Sequence, residues 1–415
     1  MNSTTVPTSA TSASFDIPRG TPAAARTVFK LLQGLRHGML TVQLPDGTLR
    51  NFGQGQPHAT LSLHNWKVFG AAMRSGDIGF AESFIAGDWS TPNLSDLLGV
   101  LIANRQSMED VVYGSWLGRL LYRVKHLMHR NTKANSRKNI HAHYDLGNSF
   151  YDLWLDPTMN YSSALFNGDF TLPMEQAQYA KVRRALTETE VKTGDRVLEI
   201  GCGWGALAEM ATTEFGARIA GVTLSTEQLD FAQARMVRLG TSRQADLRLQ
   251  DYRDIDDGPF DAVCSIEMVE AVGQEYWSTY FQSIHRLLKP GGKACIQSIV
   301  IDDALFERYL GSTDFIQQYI FPGGCLPSPQ AFRAQAQAAG FDVVNEHAFG
   351  RDYAETLRRW RHSFMAQLPQ VYALEAGKRF DQRFARIWEF YLAYCEAAFD
   401  AGNTDVVQYT LQKRA

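Results

Sequence analysis

The sequence predicts an α/β protein, a doubly wound sheet over residues 139–415 preceded by a smaller amino-terminal α+β domain over residues 21–110. Three observations carry this expectation. Beyond about Asn139, short apolar runs alternate with segments of helical periodicity, the pattern of parallel strands joined by helical crossovers. Gly201, Gly203 and Gly205 stand where an early strand of that series turns into a helix. Upstream of Arg105 the periods are mixed, a helix-like start followed by strict alternation.

Each element follows in chain order. Residues 1–20 are rich in Ser, Thr, Ala and Pro without a period, cannot bury enough surface to offset chain entropy, and read as a disordered tail. Val28, Leu31, Leu32 and Leu35 mark a helix, and the alternation from Met39 to Leu44 marks a strand that ends in the turn Pro45-Asp46-Gly47. Residues 111–138 form a basic linker. No acid lies between Asp110 and Asp145, whereas Arg119, Arg123, Lys125, Arg130, Lys133, Arg137 and Lys138 follow or interleave with Trp116, Leu117, Leu120, Leu121 and Val124. This reads either as a solvated connecting helix or as an amphipathic element for an anionic lipid surface.

The alternating part then predicts helices at 173–191, 206–214, 226–239 and 274–288. Strands are predicted at 196–200, 217–224, 246–250, 262–266 and 292–301.

Bulk properties bound the function. A length of 415 residues with 45% hydrophobic content supports two cores, and a net charge of -3 gives no global reason for nucleic-acid binding. Cys202, Cys264, Cys295, Cys325 and Cys395 are scattered without CxxC or His partners, which argues for a reduced cytoplasmic protein without a structural metal. No run approaches the roughly 20 apolar residues of a membrane span, so any membrane is met from outside.

In a doubly wound sheet a ligand sits beyond the carboxyl ends of the strands, and the glycine turn lets backbone approach it. The spacing is G-x-G-x-G, position 206 is Ala, and the next strand ends at Gly221-Val-Thr-Leu-Ser225 without a carboxylate before Glu227. A nicotinamide dinucleotide fingerprint needs G-x-G-x-x-G and an acid for the ribose, so that cofactor is disfavoured.

VLEIGCGWG (197–205), GVTLSTEQ (221–228) and LQDYRD (249–254) resemble the cofactor motifs of class I methyltransferases of the cyclopropane fatty acid synthase and mycolic acid cyclopropane synthase family. The likeness extends through residues 143–166, SIEMVEAVG (265–273), QYIFPGGCLPS (318–328) and FGRDYAETLRRW (349–360), and GFAESFIAGDW (79–89) is similar to the group's amino-terminal segment. The resemblance implies a Rossmann-like methyltransferase sheet, S-adenosylmethionine as cofactor, and a lipid-associated first domain. Glu199, Gly201, Cys202, Gly203, Trp204 and Gly205 would cradle the cofactor's amino-acid part. Thr223, Leu224 and Gln228 would contact its ribose region, Asp251 and Tyr252 would frame the adenine, and Tyr161 and Ser162 would close over the sulfonium.

Methylating an alkene requires an electrophilic methyl, a dry pocket and a base. Members of the group hold bicarbonate among a Glu, a Tyr, a His and a Cys. Glu270 and Tyr353 match two of these positions, whereas Ser163 and Gln297 replace the Cys and the His, and Ala271 stands where a further His is common. Ser163 and Gln297 can hydrogen-bond an oxyanion, although Gln297 cannot shuttle a proton. Cys395 matches a carboxy-terminal cysteine proposed as catalytic in the family, while a lone Cys on an aromatic helix is usually a small core residue. His141 and His143 read as structural.

The resulting expectation is methyl transfer to the double bond of an unsaturated acyl chain of membrane phospholipid, closing a cyclopropane. A methyl- or methylene-branched product and a soluble amine acceptor are the enzymatic alternatives, and a membrane-binding module is the non-enzymatic one. The expected location is the cytoplasmic face of the membrane, as a peripheral protein, and a homodimer is among the assemblies this reading admits.

Overall fold

A computed structural model describes residues 20–105, 146–374 and 379–414. All but the last residue of the expected tail, the whole of the basic linker, His141 and His143 lie outside the described residues.

The amino-terminal part comprises α1 (Ala23–Leu32), β1 (Gly38–Gln43), β2 (Leu49–Gln54), β3 (His58–Leu63), α2 (Lys67–Ile85), β4 (Trp89–Ser90) and α3 (Leu94–Ala103). Its sheet runs β2-β1-β3-β4, with β1 antiparallel to β2 and parallel to β3. The predicted turn joins the hairpin, where Gly47 takes φ +83° and donates to the Leu44 carbonyl. Alternation along β1 sends Leu40 and Val42 inward to meet Val28, Phe29 and Leu32 of α1. Burying one such side chain contributes about 1.5–3 kcal/mol.

The second part follows the alternating pattern. It contains α4 (Asn148–Asp152), α5 (Met174–Glu188), β5 (Arg196–Ile200), α6 (Ala206–Thr213), β6 (Arg218–Thr223), α7 (Thr226–Leu239), β7 (Ala245–Leu249) and β8 (Phe260–Ile266). Next come α8 (Val269–Val272), α9 (Trp277–Leu287), β9 (Leu288–Ile301), α10 (Asp303–Leu310), α11 (Phe315–Tyr319), α12 (Pro329–Ala338) and β10 (Phe341–Ala348). The chain finishes with α13 (Gly350–Ala366), α14 (Leu368–Ala373), α15 (Gln382–Asp400) and β11 (Thr404–Lys413).

The sheet order is β10-β11-β9-β8-β5-β6-β7, parallel from β9 to β7, with β11 antiparallel to both β9 and β10. Strands buried on both faces read as unbroken apolar runs, which is why β5, β6 and β8 were legible. β10 and β11 were not foreseen. β10 is largely solvated, and β11 buries Gln408 and Thr410 among its apolar residues, so neither carries a clear apolar pattern.

From β5 the chain winds outward through β6 to β7, then returns to β8 and winds the other way. The crevice between the carboxyl ends of β5 and β8 is therefore the topological switch point, where open α/β sheets bind ligands. The loop at residues 153–173 gives Met159 to Ser162 to its wall, and α13 and α15 hold that loop through Asp352, Thr356 and Tyr391. A second, mainly apolar cavity of about 1710 Å³ lies between the amino-terminal helices and α10 and α15, with Val28, Phe69, Leu98, Leu305 and Tyr394 in its walls.

Candidate active site

The crevice opens into a cleft of about 1120 Å³ at the ends of β5, β6 and β8. Gly201 has φ +86°, and a Cβ there would fall 2.4 Å from Met268 Cγ, so only glycine lets β5 turn beneath that side chain. Gly203, at φ +50°, faces open space, leaving backbone accessible to a ligand. Gly205 differs from its expected role. It is absent from the cleft wall and lies at the start of α6, where a Cβ would meet Ala232 of α7 at 3.0 Å, so its smallness serves helix packing.

The remaining expected cofactor residues all line the cleft: Tyr161, Ser162, Glu199, Gly201, Cys202, Gly203, Trp204, Thr223, Leu224, Gln228, Asp251 and Tyr252. Ser225 caps α7 by accepting from the Gln228 amide, which frees Thr223 to donate to Gln228 Oε1 at 2.9 Å. Both are buried, and Gln228 is turned into the cleft rather than outward on its helix. Asp251 is held by Arg253, which also stacks over Tyr252 and Tyr276. Glu199 is 4% exposed and its Oε2 has no partner among the described residues. Burial pushes its pKa well above the ordinary value, against the pull of Lys181 and Arg235. A buried, unpartnered carboxylate oxygen on the cleft wall fits an ammonium group of a ligand.

Helices pin the loop that carries Tyr161 and Ser162 to the cleft wall. From α5, Gln178 Nε2 donates to the Ser162 carbonyl at 2.9 Å and Lys181 Nζ to Ser162 Oγ at 2.5 Å. From α13, Asp352 accepts the amides of Phe166 and Asn167, and Thr356 accepts that of Ala164. Tyr161 and Tyr391 share a hydroxyl contact of 2.7 Å.

Three expected catalytic residues converge on a residue that the sequence reading did not single out. Glu267 Oε1 accepts from the Ser163 amide at 2.9 Å and from Gln297 Nε2 at 2.7 Å, and its Oε2 accepts from Tyr353 OH at 2.7 Å. Glu267 itself lines the cleft. Burial raises its pKa, while Lys181, the Ser163 amide, Tyr353 and Gln297 pull it down. Lys181 is fully buried, and its own pKa is pushed down to about 8 by burial against the carboxylates of Glu267, Asp156 and Glu199. Lys181 was missed because a Lys on an amphipathic helix normally faces water.

Three expectations change. Ser163 was expected to offer its hydroxyl, but Oγ bonds the Ala164 carbonyl and the main-chain amide makes the contact. Glu270 is absent from the cleft wall. Its Oε1 accepts from the Ile299 amide, its Oε2 is buried without a partner among the described residues, and burial with the charge of Glu267 raises its pKa to about 8. Cys395 sits on α15 against the aromatic core, off the cleft wall, and burial holds its thiol far above the ordinary value, so it is no thiolate at neutral pH.

The comparisons accord with this geometry. The family described as mycolic acid cyclopropane synthetase matches residues 131–409. Tuberculostearic acid methyltransferase UfaA1 of Mycobacterium tuberculosis is 38% identical over 409 residues, covering 95% of this chain and 93% of the relative. The cyclopropane-fatty-acyl-phospholipid synthase of Escherichia coli K12 is 32% identical over 359 residues, covering 86% and 89%. The solved structure of mycolic acid cyclopropane synthase CmaA1 complexed with SAH and CTAB is 32% identical, with a TM-score of 0.62, over 67% of this chain and 98% of that one.

Proposed function

This chain belongs to the mycolic acid cyclopropane synthetase family of S-adenosylmethionine-dependent methyltransferases, and from that premise we propose that it methylates the double bond of an unsaturated acyl chain of membrane phospholipid, closing a cyclopropane. The observation that carries the reading is that one cleft joins two sets of residues. Glu199, the glycine turn and Thr223 stand on its wall, and the same wall carries a carboxylate, Glu267, that accepts from three donors.

S-adenosylmethionine, when bound, supplies an electrophilic methyl group. Glu199 and the backbone around Gly203 would hold its amino-acid part, Thr223 and Gln228 its ribose region, and Asp251 and Tyr252 its adenine. The rings of Tyr151, Trp154 and Trp360 and the Tyr391 hydroxyl pack against Tyr161 on the cleft wall, an aromatic setting that favours an apolar acceptor. The apolar cavity beside α2 and α3 offers room for lipid chain.

A branched chain, methyl or methylene, is the second reading. It is favoured by Ser163, Gln297 and Ala271 at positions where the group has titratable or thiol side chains, and by the likeness to a relative named as a methyltransferase of tuberculostearic acid. Incubation with labelled cofactor and vesicles of defined unsaturated phospholipid, followed by mass spectrometry and NMR of the acyl chains, separates the two. Labelled acyl chains carrying a ring are expected, and a non-cyclic methylated chain would replace the first reading with the second.

The basic segment supports a peripheral membrane contact at the inner face. Neutralising Arg119, Arg123 and Lys125 should weaken cosedimentation with anionic liposomes and lower its salt sensitivity. Unchanged binding would make the segment a connector. Among the described residues no helix is long and apolar enough to cross a membrane.

A further inference from the structure

We propose that the Glu267 carboxylate is the enzyme's own proton acceptor, occupying the position where the related group holds a bicarbonate ion, so that turnover needs no bicarbonate. The inference rests on the alkene-methylation reading above.

Bicarbonate does not fit the residues present. The donors that would bind it, from residues 163, 297 and 353, already end on Glu267. A polar relay fixes the direction of one of them. Arg184 has donors only, so Gln408 must turn Oε1 toward its Nη1, at 2.8 Å. The Gln408 amide nitrogen then faces Gln297 Oε1 at 3.0 Å, which leaves Gln297 Nε2 pointing at Glu267. The relay thus delivers a donor that requires an acceptor, and the carboxylate meets it. A second anion against the same three donors would be repelled by the first.

Backbone geometry adds an independent observation. Glu267 has φ +51°, a left-handed conformation that favours glycine, at the turn after β8, where its amide donates to the Gln297 carbonyl. A long acidic side chain kept in such a conformation on a cleft wall marks strain retained for a function.

The carboxylate is equipped for the step. Among the described residues, Oε1 accepts two hydrogen bonds and Oε2 only the one from Tyr353, which leaves a lone pair on Oε2 for a proton. Once the methyl has bonded to one alkene carbon and left a cation on its neighbour, Oε2 takes a proton from the added methyl. That C–H electron pair forms the second carbon–carbon bond, the product is neutral, and Glu267 becomes the acid. It returns the proton to water as the product leaves.

The test compares wild type, Glu267→Gln and Glu267→Gly in CO₂-stripped buffer with and without added bicarbonate. Turnover on unsaturated phospholipid vesicles is measured beside ¹³C-bicarbonate binding by NMR, cofactor affinity and thermal melting. Wild type should be indifferent to bicarbonate and bind none. Glu267→Gln should lose turnover by about 10²–10⁴-fold with cofactor affinity retained. Glu267→Gly relieves the positive φ, so it should melt no lower than wild type, bind bicarbonate in the vacated position and regain turnover when it is added. Wild type that binds bicarbonate or loses turnover in stripped buffer overturns the proposal, as does a folded Glu267→Gln with near-wild-type turnover. If no lipid is methylated although cofactor binds, the acyl reading fails, while the NMR comparison still decides what occupies the anion position.

Discussion

Glu270→Gln isolates the cost of a buried acid. Burial, and then the charge of Glu267, hold the Glu270 proton up to about pH 8 against an ordinary value of 4.5. Between those two values the folded protein keeps a proton that the unfolded chain has released. Stability is therefore lost as pH rises through the window, and the loss is complete above about 8. At 1.36 kcal/mol per pH unit, the full difference comes to roughly 4–5 kcal/mol. Glutamine keeps the acceptor for the Ile299 amide and cannot ionise. Urea unfolding should place the variant within about 1 kcal/mol of wild type at about pH 5 and roughly 3 kcal/mol above it at about pH 7, the gap widening further toward about pH 9 at constant m. Because an amide mimics the protonated acid, the variant should also keep most of its turnover at neutral pH, unlike Glu267→Gln. Parallel stability curves for variant and wild type across this range would refute the buried-acid reasoning.

Tyr353→Phe removes the hydroxyl that lowers the Glu267 pKa, so the acid limb of the kcat profile should move to higher pH, and a profile that stays in place would remove Tyr353 from the site. Glu199→Gln should weaken S-adenosylmethionine binding by about 10–100-fold in calorimetry, the equivalent of a hydrogen bond to a charged group, while leaving the fold intact. Unaltered affinity would mean that Glu199 Oε2 faces something other than the cofactor. Cys395→Ala should retain turnover within a few-fold and unfold at slightly lower denaturant, as a small core truncation does. A loss of about 100-fold or more without unfolding would restore the thiol to the chemistry.

The legible parts of this protein share a physical reason. Parallel strands buried on both faces must be continuous apolar runs, so β5, β6 and β8 appear in the sequence almost as they stand in the sheet. The cofactor wall was readable because it is local. Gly201 to Trp204, Thr223 and Leu224 with Gln228, and Asp251 with Tyr252 belong to short stretches at successive strand ends, and these residues line the cleft. Where local reading failed, geometry had intervened: Gly205 has the right spacing but packs against Ala232.

The reacting end was not legible in this way. Glu267 and Glu270 lie three residues apart in one motif, and which of them faces the cleft depends on the left-handed turn at position 267. The donors that identify Glu267 come from residues 163, 297 and 353, on a loop, a strand and a helix, and Gln408 on an unforeseen strand orients one of them. Sequence alone determined the doubly wound sheet, the glycine turn and the methyl-donor half of the cleft, because strand periodicity and strand-end motifs are local properties of the chain. Tertiary structure alone decided which carboxylate receives the three converging hydrogen bonds, because that depends on backbone torsion and on long-range contacts that no local pattern encodes.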